Sequence, residues 1–305
     1  MKKIIQFFFL AVLSINVSAK EIITVSTYNG SSGSLVPFYM RILDEANLLQ
    51  DQYKFMLLPK PGAQGLIALQ YMNESPEDRL SVISPSIIDL IGSNQINQKD
   101  YVPISSQGDA CWVLISNFGD SAIGVNSLRG KKELVLGTIS RGSSAHLTTL
   151  EIGNQLGFSV IPVIFRSNFD ALTLMAGDES VNLVIETPQH YLNFKEKNPH
   201  LQALGITCGT RNPKLPNIKT LKEQGYLTPT IWDDIVANAK MPIEKQKELG
   251  KILDQAMLNI GQQQIFDMID FSVPVFQKIS AADHYKVSLQ RNNYFKQKFL
   301  NKLDQ

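Results

Sequence analysis

The residues with the clearest chemical potential lie in one loop, where a β-branched strand ends and an amphipathic helix begins. The segment LVLGTISRGSSAHLTTLEIGNQLG, residues 134–157, places Ser140, Ser143 and Ser144 around the predicted helix N-terminus. Backbone N–H groups at a helix N-terminus carry about half a positive charge, and serine hydroxyls add hydrogen-bond donors. A carboxylate is the natural ligand of such a loop. The alternative is a helix N-cap without a ligand, a role worth ~1 kcal/mol of helix stability.

The elements that must position this loop follow a repeated order of strand, polar turn and helix. Ser167 followed by Asp170 predicts a capping box, and Pro37 falls in the first turn of a helix that begins near Ser34. From Pro242 onward the pattern predicts helices without matching strands. The alternation predicts the α/β class, with mostly parallel sheets covered by helices on both faces. The predicted strands include 22–26, 53–58, 80–84, 160–165 and 181–186.

The first 19 residues predict an export signal. Two lysines precede an apolar run from Ile4 to Ile15, and Val17–Ala19 supplies a small-residue cleavage site. A retained membrane anchor is the alternative, but the run is shorter than the ~20 residues of a spanning helix. Lys20 rather than cysteine follows the cleavage site, so no lipid anchor is expected. We predict a periplasmic protein that is cleaved after Ala19.

Composition limits the classes of partner. The chain has 305 residues, enough for two compact domains, and a formal net charge of +1. A near-neutral chain without a cluster of Lys and Arg gives no electrostatic surface for nucleic acid. We therefore expect small molecules or proteins as partners and no nucleic acid.

The two cysteines, Cys111 and Cys208, both fall in apolar strand-like segments. An oxidising compartment permits a disulfide, but sequence spacing does not distinguish one from two separately buried thiols. The four histidines lack metal-ligand spacing and the chain has no CxxC motif. We expect no metal and no cofactor.

Four segments together resemble one family. They read PKPGAQGLIAL (59–69), KDYVPISSQGDACWVLISN, SRGSSAHL and LQALGITCGTRNPKLPNIKTLKEQG, and they cover most of residues 54–260 in the family's order. These segments are similar to the periplasmic solute-binding receptors of tripartite tricarboxylate transporters, of the Bug or TctC type. The resemblance implies a two-lobed periplasmic-binding-protein (Venus-flytrap) fold, in which each lobe is a mostly parallel sheet flanked by helices.

The resemblance also implies where a ligand binds. Residues 20–107 and 214–305 would form the first domain and residues 108–213 the second, with an organic carboxylate held by loops 27–34 and 139–146. Turns at the ends of other strands would line the walls. The predicted ligand-binding residues are Tyr28, Asn29, Gly30, Ser31, Ser32, Gly33, Ser84, Ser86, Ser140, Arg141, Gly142, Ser143, Ser144, His146, Phe165, Arg166 and Glu186.

Several of these residues have competing interpretations. Arg141 could pair with a second carboxylate of the ligand or be a solvated loop residue. We expect His146 to organise the loop through hydrogen bonds rather than act as a base. Tyr28 and Phe165 suit apolar walls, because small-ligand sites combine apolar surface with a few polar groups. The first loop has no acidic residue where the family often has one, which disfavours an amino acid ligand.

The expected function is that of a monomeric binding receptor and not an enzyme. A carboxylate that bonds to both lobes favours the closed form, which the membrane subunits of a tripartite transporter would then recognise. One alternative is a ligand sensor for a membrane signalling partner. Another is an exported serine hydrolase, which is disfavoured because residues 137–142 read GTISRG, one residue longer than the GxSxG motif.

Overall fold

The computed structural model describes residues 19–28, 35–92, 94–178, 180–261, 271–272 and 280–303, with the backbone alone for residues 89, 271 and 272. The predicted export signal, apart from Ala19, and most of the first-lobe loop therefore lie outside the described residues. Within the described ranges, no helix has the length and apolar character needed to cross a bilayer.

The chain alternates strands and helices. The strands are β1 Glu21–Thr27, β2 Tyr53–Pro59, β3 Arg79–Ile83, β4 Tyr101–Ala110, β5 Val113–Ser116, β6 Glu133–Thr138, β7 Ser159–Ile164, β8 Leu183–Glu186, β9 Gln202–Ile206, β10 Trp232–Asn238 and β11 Phe271–Ser272. The helices are α1 Val36–Leu48, α2 Leu66–Glu74, α3 Ile87–Gly92, α4 Ser144–Leu156, α5 Asn168–Gly177, α6 Pro188–Lys197, α7 Ile243–Ile260 and α8 Ala281–Leu303.

Two sheets organise the structure, in the orders β11-β4-β10-β3-β1-β2 and β7-β6-β8-β5-β9. In the first sheet β1 pairs in parallel with β2 and β3, and in the second β6 pairs in parallel with β7 and β8. One strand in each sheet lies beside the point where the chain passes between the sheets and is antiparallel to its neighbours. Strand β10 is antiparallel to β3 and β4, and strand β5 is antiparallel to β8 and β9. The α/β class is confirmed, and both sheets are mixed.

Local signals in the sequence account for several element boundaries. The Ser167 hydroxyl accepts a hydrogen bond from the Asp170 backbone N–H and caps α5, as predicted. Helix α1 begins at Val36 with Pro37 in its first turn, while Ser34 lies outside the described residues. The prediction of helices alone after Pro242 is wrong at β11, which pairs with β4 at a sheet edge that would otherwise expose unpaired backbone groups.

The contacts of residues 215–226 bear on where the second lobe ends. Leu215 packs in the same buried cluster as Val113 of β5, and Tyr226 packs in the cluster around Leu114. Thr220 forms a parallel bridge with Ile206 at the end of β9. We therefore propose that the second lobe continues to about residue 226 instead of ending at the predicted boundary of 213.

A disulfide ties the first crossing between the sheets. Cys111 lies between β4 and β5, and Cys208 follows β9; the structure joins them, with their Cα atoms 4.8 Å apart. Beside the bond, Thr207 donates its N–H to the Trp112 carbonyl at 2.9 Å, and Trp112 donates its N–H to Thr207 Oγ1 at 3.0 Å. Of the two alternatives that the sequence left open for the cysteines, the structure has the disulfide.

Helix α8 contacts both lobes. Near its start, the buried His284 lies between two carboxylates of the first sheet, with Nδ1 3.1 Å from Asp234 Oδ1 and Nε2 3.2 Å from Asp109 Oδ1. Further along, Lys298 pairs with the buried Glu151 of α4 at 2.6 Å. The apolar contact between the same two helices is formed by Leu147, Leu150, Phe295 and Phe299.

The buried His284 cluster makes the stability of the fold depend on pH. Burial alone would lower the pKa of His284, but hydrogen bonds and charge from Asp109 and Asp234 outweigh it and raise the pKa to about 9. The unfolded-state pKa is ~6.5, so the stabilisation is complete below that pH and is lost as the pH rises through 9.

We predict that His284→Gln removes a pH-dependent part of the free energy of unfolding. Between pH 6.5 and pH 9.5, the wild-type free energy of unfolding, measured by urea denaturation, should fall by up to about 3 kcal/mol more than that of the variant. This figure takes 1.36 kcal/mol for each pKa unit. The exposed His200 supplies the control, since His200→Gln should keep the wild-type slope. An identical slope in the His284 variant would contradict the assignment.

Candidate ligand-binding site

The predicted second-lobe residues follow three adjacent parallel strands. β6 ends at Thr138, just before the serine loop; β7 ends at Ile164, just before Phe165 and Arg166; and β8 ends at Glu186. Because the three strands are parallel and paired in register, their C-terminal ends meet at one edge of the sheet. The Phe165 N–H donates to the Thr138 carbonyl at 2.8 Å and joins two of these turns.

Ser143 is the N-cap of α4. Its hydroxyl oxygen accepts a hydrogen bond from the His146 backbone N–H at 3.2 Å and lies 2.9 Å from the Thr138 hydroxyl. Capping satisfies the N–H group of the third helical residue, whereas the N–H groups of Ser144 and Ala145 have no partner within the helix. The N-cap role and an anion site at the first turn of α4 are therefore compatible.

His146 closes the loop onto its helix. Its Nδ1 accepts a hydrogen bond from the Gly142 N–H at 3.0 Å, which is the organising contact expected from the sequence. Burial, and then the positive charge of Arg141, lower the pKa of His146 to about 4, so the imidazole is neutral at pH 7. Gly142 has a φ of +74°, a left-handed conformation that favours glycine.

Ser144 connects the loop to the chain segment that returns to the first sheet. Its hydroxyl donates to the Thr230 carbonyl at 3.0 Å, so its proton is used within the protein. The neighbouring Ser140 is half-buried, and Arg141 is exposed. We expect the backbone of this loop, more than the Ser144 hydroxyl, to offer donors to a ligand.

A cation that sequence reasoning missed lies beside this loop. A Cβ atom placed on Gly142 would be 3.5 Å from Cε and 3.9 Å from Nζ of Lys296 on α8. Burial lowers the pKa of Lys296 to about 8, so a nearby anion would stabilise its charged form. The two residues are far apart in the chain, and no local pattern relates them.

The remaining predicted residues of the second lobe have different environments. Glu186 is buried, accepts a hydrogen bond from the Thr187 N–H at 2.6 Å, and lies 3.4 Å from His190 Nδ1 at the start of α6. Phe165 is half-buried against the second-lobe core, whereas Arg166 is exposed. Glu186 is thus held by its own lobe, and Arg166 is accessible.

The described first-lobe residues meet at the end of β3. Tyr28, Ser84 and Ser86 line a recess of about 10 Å³ together with Gln64 and Gly65. The Ser84 and Ser86 hydroxyls lie 2.8 Å apart, and Ser86 donates to the Gln64 carbonyl at 2.9 Å. Ligand pockets usually measure ~300–1,000 Å³, so this recess is part of a wall and not a whole pocket.

The other predicted first-lobe residues, Asn29, Gly30, Ser31, Ser32 and Gly33, lie outside the described residues. Among the described side chains, no group of three or more His, Cys, Asp or Glu residues is placed to hold a metal ion.

Comparison with known proteins identifies the family. The family model TctC, described as the tripartite tricarboxylate transporter family receptor, matches residues 124–292, more than half of the chain. The chain belongs to the TctC family. Its members are periplasmic solute-binding proteins, and the family that the four sequence segments resemble is thereby confirmed. A comparison with curated protein sequences gave no match.

Solved structures share the two-lobed fold. A TctC solute-binding protein from Polaromonas has a TM-score of 0.69 at 16% identity, over 92% of this chain and 98% of that one. MatC from Rhodopseudomonas palustris with bound malate has a TM-score of 0.68 at 13% identity, over 90% and 98%. Rpa4515 from R. palustris with adipate has a TM-score of 0.69 at 18% identity, over 90% and 96%. The Venus-flytrap architecture is confirmed by these matches.

We predict that Ser143→Ala lowers the free energy of unfolding by ~1 kcal/mol, because α4 loses its N-cap. Ser143→Asp should restore this stability, since aspartate is an equally good cap. Urea denaturation followed by circular dichroism measures both variants. A Ser143→Ala protein as stable as the wild type would contradict the capping role.

Proposed function

We propose that this TctC receptor binds a small organic carboxylate between its lobes and presents the closed complex to the membrane subunits of a tripartite transporter. The observation that supports the ligand class is the N-terminus of α4, where helix N–H groups lie at the edge of the second sheet. Arg141 is in the same loop, and Lys296 lies beside Gly142. Partial positive charge and two cations around one turn favour an anionic ligand.

The solved relatives support the same chemical class. MatC binds malate and Rpa4515 binds adipate, both of them dicarboxylates. In this chain, one ligand carboxylate would bond to the N–H groups of Ser144 and Ala145. Arg141 or Arg166, both exposed at the same sheet edge, would pair with a second carboxylate. The first-lobe wall would be formed by Tyr28, Ser84, Ser86 and the loop at residues 29–33.

Binding would act by shifting the equilibrium between open and closed forms. Hydrogen bonds to a charged group contribute ~1.5–3 kcal/mol each, and bonds to both lobes exist only in the closed form. The crossing at residues 110–113 and the return at about 226–232 would serve as the hinge. The Cys111–Cys208 disulfide fixes the chain segments beside the first crossing.

We also propose that residues 1–19 direct export and are removed after Ala19, and that the mature protein acts as a monomer in the periplasm. Ala19 lies two residues before Glu21, where β1 begins, so cleavage there leaves the first strand intact. The periplasmic location of the family supports the proposed location of this protein.

The hydrolase alternative has little structural support. His146 Nδ1 already accepts the Gly142 N–H, and the Ser143 oxygen accepts the His146 backbone N–H instead of meeting an imidazole. A serine nucleophile requires a base within hydrogen-bond reach, and among the described residues no imidazole is hydrogen-bonded to the Ser143 hydroxyl, which lies 2.9 Å from that of Thr138.

We predict that a thermal-shift screen of mono-, di- and tricarboxylates and amino acids gives its largest stabilisation with a carboxylate that lacks an amino group. A receptor is stabilised by whatever binds its folded state, so the rank of shifts reports the rank of affinities. An amino acid as the clear best ligand would contradict the absence of an acidic partner in the first loop.

The best carboxylate from that screen can then be used to test the position of the site with a pair of matched variants. Ser143→Asp and Ser143→Thr both keep an N-cap, but only Asp places a negative charge at the first turn of α4. By calorimetric titration, Ser143→Asp should bind the best carboxylate at least ~10-fold more weakly, the loss of about one charged hydrogen bond, and Ser143→Thr should stay near the wild type. Equal affinities in the two variants would place the ligand elsewhere.

A further inference from the structure

Two tyrosines of the first lobe share one buried carboxylate. The Tyr28 hydroxyl donates to Asp233 Oδ1 at 2.8 Å, and the Tyr39 hydroxyl donates to Asp233 Oδ2. Asp233 belongs to β10 and is 3% exposed, while the tyrosines come from the end of β1 and from α1. The carboxylate therefore joins three elements that are distant in the sequence.

The two tyrosines differ in what else they contact. Tyr39 is buried in the first-lobe core at 1% exposure. Tyr28 is partly exposed and lines the recess with Ser84 and Ser86. A Cβ on Gly65 would lie 3.5 Å from the Tyr28 Cβ, so the base of the Tyr28 side chain is packed while its hydroxyl is fixed by Asp233.

We propose that Asp233 is a positioning residue for ligand binding, which holds the Tyr28 ring in the orientation that forms the first-lobe wall of the site. This inference rests on the proposed function for the identity of the ligand. Asp233 is buried, so we place it outside direct contact with the ligand. Its effect on affinity is transmitted through the Tyr28 hydroxyl.

The protonation state of Asp233 decides whether it can hold both tyrosines. Burial raises the pKa of Asp233 to about 7; the hydrogen bonds from Tyr39 and Tyr28 oppose this rise, and the neighbouring Asp234 adds to it. Asp234 is in turn paired with His284 on the other face of the sheet. Above pH 7 both oxygens of Asp233 accept, whereas below it one oxygen carries a proton and the two tyrosine bonds are weakened.

The first measurement needs no ligand. In protein labelled with ¹³C-tyrosine, the ring signals of Tyr28, assigned from Tyr28→Phe, should titrate with a midpoint near pH 7. Asp233→Asn should abolish that titration, since the amide has no ionisation. Tyr39→Phe is the matched control: it removes the other tyrosine bond, so the Tyr28 midpoint should persist and move to higher pH. Tyr28 signals that do not change with pH, or that titrate equally in Asp233→Asn, would overturn the proposal.

The second measurement uses malate and adipate as probes between pH 6 and pH 8.5, where both are mostly dianions. Relative to Asp233→Asn, wild-type affinity should rise about fivefold to tenfold across this range, as expected for one well-placed hydrogen bond. Deprotonation of Lys296, whose pKa is about 8, acts on both proteins and cancels in this ratio. Tyr28→Phe should share the weaker affinity and the pH profile of Asp233→Asn, and Tyr39→Phe should keep the rise in affinity with its midpoint at higher pH.

These outcomes separate the inference from the proposed function. Binding of a probe with the wild-type pH profile in Asp233→Asn would overturn the positioning role and leave the carboxylate receptor intact. Failure of both probes to bind the folded wild type would count against the proposed ligand class, and the ring signals would still decide whether Asp233 holds Tyr28.

Discussion

Parallel pairing within each sheet is the constraint that assembles the site. Because β6, β7 and β8 run in the same direction and in register, the turns that follow them meet at one edge, as do the turns after β1 and β3 in the other sheet. The antiparallel strands β5 and β10 lie next to the crossings between the two sheets. Their direction lets the chain leave one lobe and return while both sets of turns are preserved.

Helix α8 adds a second connection between the lobes. It is anchored to the first sheet by an ion cluster at His284 and to α4 by apolar contacts and the Lys298–Glu151 pair. Since α4 carries the proposed anion site at its N-terminus, movement of that helix relative to the first lobe must be accommodated along α8. The fold thus couples the ligand loop to the C-terminal helix through packing and charge.

Local features of this fold could be predicted from sequence because short-range patterns encode them. Strand β2 at Tyr53–Pro59 covers the predicted strand 53–58, and Ser167 and Ser143 cap helices through contacts within three residues. Strand direction at β5 and β10, and the packing of Tyr226 in the second lobe, depend on where the chain crosses between sheets. No local pattern carries that information, and for this reason the lobe boundary that we propose, near residue 226, differs from the boundary of 213 expected from the sequence.

The candidate site also combines residues that the sequence could predict with residues that it could not. The serine loop could be found because strand, glycine and serines are adjacent in the chain, and the role of His146 follows from its place in the first helical turn. Lys296 and Asp233 could not, since each reaches the site from a distant element: Lys296 from α8 to Gly142, and Asp233 from β10 to Tyr28. Their contribution is visible only once tertiary contacts are known.

A crystal structure of the mature protein with its tightest-binding carboxylate gives the clearest test of the account. We predict one ligand carboxylate within hydrogen-bond distance of the Ser144 and Ala145 N–H groups, with Tyr28 of the other lobe against the same ligand. A ligand bound away from the first turn of α4, or in contact with only one lobe, would contradict it.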